Sequence, residues 1–577
     1  MLLALAILVA NANGLRGGFF GDDASGIAAN PAIRSLANIP RFFADPSTLS
    51  PVKEHVDIRP VVVTTFAINH AISGLDPWSW HALSLLLHFV SSFLVFVIVR
   101  DHAWWPVEER GAHGQARWPA AACALLFALA PLTTQALVDT WARPMLLGTT
   151  LCLGAFLAFA RGRHGIAAML HALALLSSPV ALSLPVLILT REWILRDRSR
   201  HPGLRAWLGD MGRLARPVGM LVALSVASLA QRAFMLDASQ GDGLRATWGT
   251  PDAALLSAAA AAMQHVRLFL WPSGLAADHG SPTPSVFGDD WASGTLLLWL
   301  PLLILLAWSV FVAWLARRNP LPAFATAWFF VALVTEMPFI SRSAAFADQR
   351  AYLASSLGLA LLLVAAAWQL ARRFAGNAAH RAFAGATLAL CMATLPVSWY
   401  RNWQWGEAER LWRSTTRVSP GNSRAWTHLG RQLMDRGASD EARASLERAL
   451  ALDVSNETAK SALASLQIQS VAAMPADARP QVMPQDMPQA MTVDELMQQA
   501  VKALRAKDWQ VAVGPLRAVL AMSPSHYGAT YQLAAALDHL GQRDEAVTYW
   551  KAVLPMAEKY HDAETAATAR QRLDGIK

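Results

Sequence analysis

Up to about residue 400 the apolar residues lie in long, nearly uninterrupted runs; beyond it they recur periodically. The runs near 78–99, 118–137, 144–160, 165–179, 180–195, 216–235, 294–315, 321–340, 351–371 and 382–400 approach the length needed to cross a bilayer, roughly 17–25 residues. The runs 165–179 and 180–195 are short and share Pro179, which predicts a tight helical hairpin. Residues 1–13, "MLLALAILVANAN", add a curtailed eleventh run. It lacks the basic start and small-residue cleavage site of a signal peptide. The pattern predicts an all-α chain: a polytopic membrane helix bundle of about 11 spans over residues 1–400, followed by a second, more polar half.

That second half reads as an α-solenoid of tetratricopeptide repeats. In "SRAWTHLGRQLMDRGASDEARASLERALALDVSN", residues 423–456, Trp426, Leu429, Gly430, Leu433, Ala442, Leu446 and Ala449 fall on the helix-turn-helix spacing of such a repeat. Upstream, Ala408, Trp412 and Pro420 mark the second helix of a partial repeat. Further matches cover about 493–524 (Ala512, Leu516, Pro524) and about 527–560 (Leu533, Ala546, Trp550). Between them the Pro-, Gln- and Met-rich stretch "QSVAAMPADARPQVMPQDMPQAM" cannot hold a helix or build a core. The predicted organisation is a membrane domain 1–400 with a long outward loop 14–77, a first repeat block 401–466, a linker 467–492 and a second block 493–577.

Basic residues set the orientation. The stretches 196–216, 316–320 and 371–381 are strongly basic and are placed in the cytoplasm, as are 100–117 and 161–164. The loops 14–77, 138–143, 236–293 and 341–350 then face outward, provided that 252–271, which carries His265 and Arg267, is an interfacial or re-entrant helix. The repeats follow the last span and lie outside, which in a bacterium with this chain in its inner membrane is the periplasm.

Composition agrees. The chain is 54% hydrophobic and 16% charged, with a mean hydropathy of +0.30, where soluble chains carry about 25% charge. The net charge of +8 is accounted for by Arg in the short loops, so no nucleic-acid partner is expected. Cys123, Cys152 and Cys391 all lie in apolar runs and read as small buried hydrophobes, not as a metal or disulfide framework.

The outward segments hold the candidate chemistry. Asp22 and Asp23 sit in "GGFFGDDASGIAANPAIRSL" just after the first apolar run, and Asp57 and Arg59 open the next apolar stretch. His81 and His88, seven residues apart, lie on one face at the head of a span. Neighbouring outward ends add Asp139 and Arg143, His265 and Arg267, Asp278 and His279, then Arg342, Asp348, Arg350 and Tyr352. Arg gathered at one membrane face suits a lipid phosphate, and a carboxylate can take a proton from an incoming hydroxyl. Plainer roles compete: an Asp as helix cap, Arg as snorkelling anchors, His as satisfied polar groups in the bundle. Two His without a third ligand make no metal site. A divalent metal beside the Asp pair is compatible with the chemistry but not required by it, and no other cofactor is indicated.

The chain resembles the transmembrane and tetratricopeptide-repeat glycosyltransferases, which include protein O-mannosyltransferases and belong to the C-type glycosyltransferase superfamily. The likeness rests on "GFFGDDASGIAANPAIRSL", "DIRPVVVTTFAINHAISGLDPWSWHALSLLLH", "VDTWARPMLLGTTLCLGAFLAFA", "LFLWPSGLAADH", "ADQRAYLASSLGLALLL" and "NWQWGEAERLWRSTTRVSPGNSRAW", in the family's order. It implies an enzyme that moves a sugar from a polyprenyl-phosphate carrier to a hydroxyl of a protein acceptor, by inverting transfer. It also implies that Asp22 or Asp23 is the general base, that Arg59, Arg143 and Arg350 line the donor site with His81 nearby, and that the repeats hold the acceptor. The sequence departs from the family where a Lys-Glu pair is often found; Ser178 and Pro179 stand there. Two alternatives remain at this stage: a non-enzymatic scaffold that recruits envelope or pilus proteins, and a lipid-linked glycan ligase or polymerase.

Overall fold

The computed structural model describes residues 2–51, 57–101, 117–194, 204–240, 251–280, 307–315, 317–334, 347–472, 493–505, 508–522, 527–540, 542–559 and 563–574, and among them no residue is in a strand. The chain divides into two units, Met1–Ala473 and Met474–Lys577.

In the first unit the longer helices are α1 (Leu2–Asn11), α2 (Pro60–Ser73), α3 (Pro77–Asp101), α4 (Arg117–Ala128), α5 (Arg143–Ala160), α6 (His164–Leu175), α7 (Leu184–Ile194), α8 (Leu204–Gln240), α9 (Pro251–Leu270), α10 (Pro320–Val334), α11 (Ala360–Ala375), α12 (Ala379–Trp405), α13 (Ala408–Val418), α14 (Ser423–Asp435), α15 (Ser439–Leu452) and α16 (Glu457–Ala472). Five stretches among the described residues are long and apolar enough to cross a membrane: Pro77–Asp101, Thr140–Ala160, Leu214–Phe234, Asp348–Ala375 and Ala379–Trp405. Arg117–Ala128 and Pro131–Val138, bent by 50°, form a sixth if they count as one span. Leu2–Leu15, Pro60–Ser73, His164–Leu175 and Pro320–Leu333 are apolar but shorter. Most of the expected run 294–315 and the end of 321–340 lie outside the described residues. The hairpin expected at Pro179 is instead two helices, α6 and α7, separated by a 3₁₀ stretch Pro179–Ser183 that Ser178 caps.

Helix α3 shows why the bundle assembles. His81, Ser84, His88, Ser91 and Ser92 are buried, while Leu86 and Phe93 are exposed. The polar stripe turns inward, because lipid cannot satisfy it. Ser91 Oγ lies 2.7 Å from Thr150 Oγ1 on α5. His88 receives a hydrogen bond from the Tyr352 hydroxyl at 2.6 Å and donates to the Ala128 carbonyl at 3.0 Å, joining three separate segments. The role of a satisfied polar group fits His88. The three cysteines are free and buried.

The first repeat block packs into the same unit. Its buried Leu411, Trp412, Ala425, Leu429 and Leu433 belong to one hydrophobic core with the membrane helices. Gly430 is required by the repeat's close helix crossing: a Cβ there would lie 2.7 Å from Leu446 Cγ on α15. Residues 467–472, placed by sequence in the linker, continue α16.

The second unit contains α17 (Val493–Arg505), α18 (Trp509–Met522), α19 (Tyr527–His539), α20 (Arg543–Lys559) and α21 (Ala563–Asp574). Its core is built around Ala512, Leu516, Leu533, Ala546 and Trp550, the positions picked out by repeat spacing.

Candidate active site

A turn at Gly21, with φ of +56°, leads the chain into Asp22 and Asp23 and then into the π-helical turn Ala24–Ala28. Asp23 is positioned to cap that turn but makes no capping hydrogen bond to it. Its Oδ2 instead accepts the Thr140 amide at 3.2 Å, from a segment 117 residues away. Gly26 makes the approach possible: a Cβ there would fall 2.1 Å from the Trp141 ring. On the other side of the same turn, Asp139 Oδ1 accepts the Trp141 amide at 3.1 Å.

Three carboxyls therefore gather between the loops 14–77 and 138–143. Asp23 is 2% exposed, its Oδ1 has no hydrogen-bond partner among the described residues, and Asp22 is half-buried. Burial, then the nearby Asp139, pushes the Asp23 carboxyl well above the usual range. Burial, then Asp22, raises Asp139 to about 7. Desolvation and like charge both oppose ionisation, so the pair retains a proton near neutral pH.

Arg143 lies within electrostatic reach of Asp23. It is 0% exposed. Nη1 donates to Asn69 Oδ1 at 2.7 Å, Nη2 donates to the Trp80 carbonyl at 3.2 Å, and the guanidinium sits 5.0 Å from the Phe66 ring and 5.3 Å from that of Trp80. The side chain thus ties α5 to α2 and to the start of α3. His81, the next residue, donates to the Gly17 carbonyl at 3.0 Å and so fixes the strand of loop that leads to Asp22.

Arg59 belongs to a second cluster. It donates to Asp57 Oδ2 at 2.7 Å, while Asp57 Oδ1 accepts from Arg232, a residue inside the apolar stretch Leu214–Phe234. Arg232 also donates to the carbonyls of Ile58 at 3.2 Å and Leu175 at 3.1 Å. Burial alone would raise the Asp57 carboxyl, but Arg232 and then Arg59 hold it well below the usual carboxylate range.

Arg350 is half-buried on the 3₁₀ turn Asp348–Ala351, which packs against the short helix Thr134–Val138 that leads to Asp139. On that turn Asp348 accepts from His279 Nε2 at 2.8 Å and from the Ala276 amide at 3.3 Å. The 272–280 segment in turn meets the first repeat. Asn422 donates to the Asp278 carbonyl at 2.9 Å, the Ala277 amide donates to Thr415 Oγ1 at 3.3 Å, and Arg424 Nε lies 3.5 Å from Asp278 Oδ2. Trp412 stacks on His428 with ring centroids 4.2 Å apart, and a Cβ at Gly21 would touch Trp412 at 3.4 Å. The first repeat therefore abuts the turn that presents Asp22. Burial, then Arg424, pushes the His428 imidazole down to about 4.

The structure brings Asp22, Asp23, Arg143 and His81 into one region; Arg59 is paired in a separate cluster, and Arg350 sits on the Asp348–Ala351 turn, against the helix that leads to Asp139. Sequence reading noted Asp139 only as a neighbouring charge, and it missed Asn69, Arg232 and His428. An Arg within an apolar run was the available signal for Arg232. Among the described residues no group of three or more His, Cys, Asp or Glu is arranged to hold a metal ion.

No family model matches the chain. Protein O-mannosyl-transferase TMTC3 of Mus musculus is 29% identical over 154 residues, which is 26% of this chain and 15% of that protein. Protein O-mannosyl-transferase Tmtc1 of Drosophila melanogaster is 30% identical over 154 residues, 26% of this chain and 16% of that one. Protein O-mannosyl-transferase Tmtc3 of Drosophila melanogaster is 24% identical over 508 residues, covering 77% of this chain and 54% of that protein. The chain thus spans about half the length of this last relative and less of the other two. Among solved structures, ArnT from Cupriavidus metallidurans bound to undecaprenyl phosphate aligns over 87% of this chain and 80% of its own at 18% identity, with a TM-score of 0.33, too low to bear on fold or activity. The resemblance read from the sequence is thus matched by curated relatives: this multi-pass membrane chain is a homologue of the protein O-mannosyl-transferases.

Proposed function

We propose that the chain is a membrane glycosyltransferase that moves a sugar from a polyprenyl-phosphate carrier to a Ser or Thr hydroxyl of an acceptor protein outside the membrane, with inversion. In a bacterium this places the chain in the inner membrane and the repeats in the periplasm. The observation that carries the reading is the half-buried Asp22 beside the Asp23–Asp139 pair, in a loop that His81 holds at Gly17. Relatives named as O-mannosyl-transferases favour the same chemistry.

Asp22 is assigned as general base and Asp23 as the group that positions it. Asp22 reaches solvent, whereas Asp23 is enclosed and held by the Thr140 amide. The acceptor oxygen attacks the anomeric carbon, its proton passes to Asp22, and the bond from that carbon to the phosphate oxygen breaks with the electron pair leaving on the lipid phosphate. Arg350 is the guanidinium assigned to that phosphate, because Arg143 is fully enclosed by protein groups and Arg59 is paired with Asp57 in the separate cluster. The second repeat block is assigned to acceptor capture. The test is transfer by the purified full chain from a polyprenyl-phosphate hexose to secreted acceptor proteins, read as a hexose mass gain. Absence of transfer with every hexose donor would contradict the reading.

A further inference from the structure

At the end of α12 the last apolar stretch meets the first repeat around a pocket of about 300 Å³. Tyr400, Trp403 and Gln404 form its membrane side; Arg410, Arg413 and Arg417 are among the residues on its repeat side. Helix α12 keeps most of its surface outside the protein core, with Leu388, Met392 and Trp399 exposed. Tyr400 is 58% and Trp403 50% exposed, and their rings stack 5.6 Å apart. An exposed aromatic cluster at the end of an apolar helix marks the bilayer interface.

The polar wall carries excess positive charge. Four arginines, counting Arg436, line the pocket against two glutamates. Both carboxylates are occupied: Glu407 accepts from Arg410 at 2.7 Å, and Glu409 accepts from Arg413 at 2.7 Å and from Arg436. Arg410 is also laid over Trp403, 3.8 Å from the ring centroid, and donates to its carbonyl at 2.6 Å. Arg417 is exposed and has no carboxylate partner among the described residues. Arg413 also donates to Glu441, which leaves Arg417 as the lining guanidinium without a carboxylate among the described residues, so the wall keeps a surplus of cationic donors. That surplus favours an anion over a neutral sugar ring. The aromatic rim at the membrane interface favours an anion attached to acyl chains.

We propose that this pocket binds the phosphodiester headgroup of an anionic phospholipid in the outward leaflet and so fixes the first repeat against the membrane surface. The inference rests on the outward placement of the repeats in the proposed function, not on the assignment of a catalytic base. Arginine contributes about fivefold to anionic-lipid affinity when placed at the surface.

The test is native mass spectrometry of the detergent-purified full chain with added phosphatidylglycerol or phosphatidylcholine of matched acyl chains. The wild type is expected to retain phosphatidylglycerol at least fivefold better, a preference that Arg417→Gln reduces and Arg410→Gln with Arg417→Gln abolishes. Melting temperature of the single variant is expected to stay at the wild-type value, because Arg417 is exposed and has no carboxylate partner among the described residues. Equal retention of the two lipids by the wild type, or unchanged preference in the double variant, would overturn the proposal. So would displacement by inorganic phosphate alone, or retention of polyprenyl phosphate but not phosphatidylglycerol.

Discussion

Asp23 and Asp139 grip one turn from two sides: Asp23 Oδ2 accepts the Thr140 amide at 3.2 Å, and Asp139 Oδ1 accepts the adjacent Trp141 amide at 3.1 Å. A buried and a half-buried carboxyl on consecutive amides cannot both ionise cheaply. They make a proton-retaining floor beneath Asp22, which keeps its access to solvent.

The pair has a pH signature. A carboxyl whose folded pKa is raised favours the fold below its ordinary value of 3.8, and that contribution is lost as pH rises through about 7. Asp139→Asn keeps an oxygen for the Trp141 amide but cannot ionise. Its melting temperature relative to wild type is expected to climb between about pH 4 and about pH 7 and to level off above that. A pH-independent difference would contradict the paired-carboxyl reading.

Packing also holds the site. A methyl at position 26 would fall within 2.1 Å of the half-buried Trp141 ring, far inside van der Waals contact, so the ring or the turn must shift. Gly26→Ala is expected to separate Asp23 from Thr140, costing about 1–3 kcal/mol of stability and lowering transfer although no reacting group is altered. Retained activity with wild-type melting would show that the two loops are not coupled there.

Arg143 serves structure in this account. Its fork satisfies Asn69 Oδ1 and the Trp80 carbonyl, and Lys cannot reproduce a planar fork. Arg143→Lys is expected to cost about 1–3 kcal/mol for each buried acceptor left unpaired, read as a lower melting temperature. Arg350→Ala is expected to behave differently, lowering kcat about 10²-fold, because its assigned role is at the leaving phosphate. If Arg143→Lys lost kcat alone and melted as wild type, the two roles would be reversed.

The coarse architecture was legible because it rests on local periodicity. Apolar runs gave α3, α5 and α12, and the repeat spacing identified Gly430 and Leu446, which meet in the folded chain. Net Arg placement grouped the loops that carry Asp23 and Thr140, and these do come together. The pairings within the site were not legible. Asp57 and Arg232 are 175 residues apart, and nothing in either local pattern announces the other. The bracing contacts of Arg143 were not legible either, because Asn69 and the Trp80 carbonyl, which accept from it, are remote in sequence. A helix cap was the plainer role open to one of the Asp pair, because the adjoining turn is close by, yet Asp23 turns to a different loop. The spacing that marked the first repeat said nothing of its contact with Gly21 and Asp278.

The assignment of Asp22 as base is tested most directly by single-turnover transfer from a polyprenyl-phosphate hexose to the acceptor, followed by intact-mass spectrometry, for wild type, Asp22→Asn and Asp23→Asn. Asp22→Asn is expected to lower the rate by about 10²–10⁴-fold without lowering the melting temperature. Asp23→Asn, whose amide oxygen can still accept the Thr140 N–H, is expected to lose less than about tenfold in rate. Wild-type rates with Asp22→Asn would contradict the account, and a large loss confined to Asp23→Asn would move the base to the buried carboxyl.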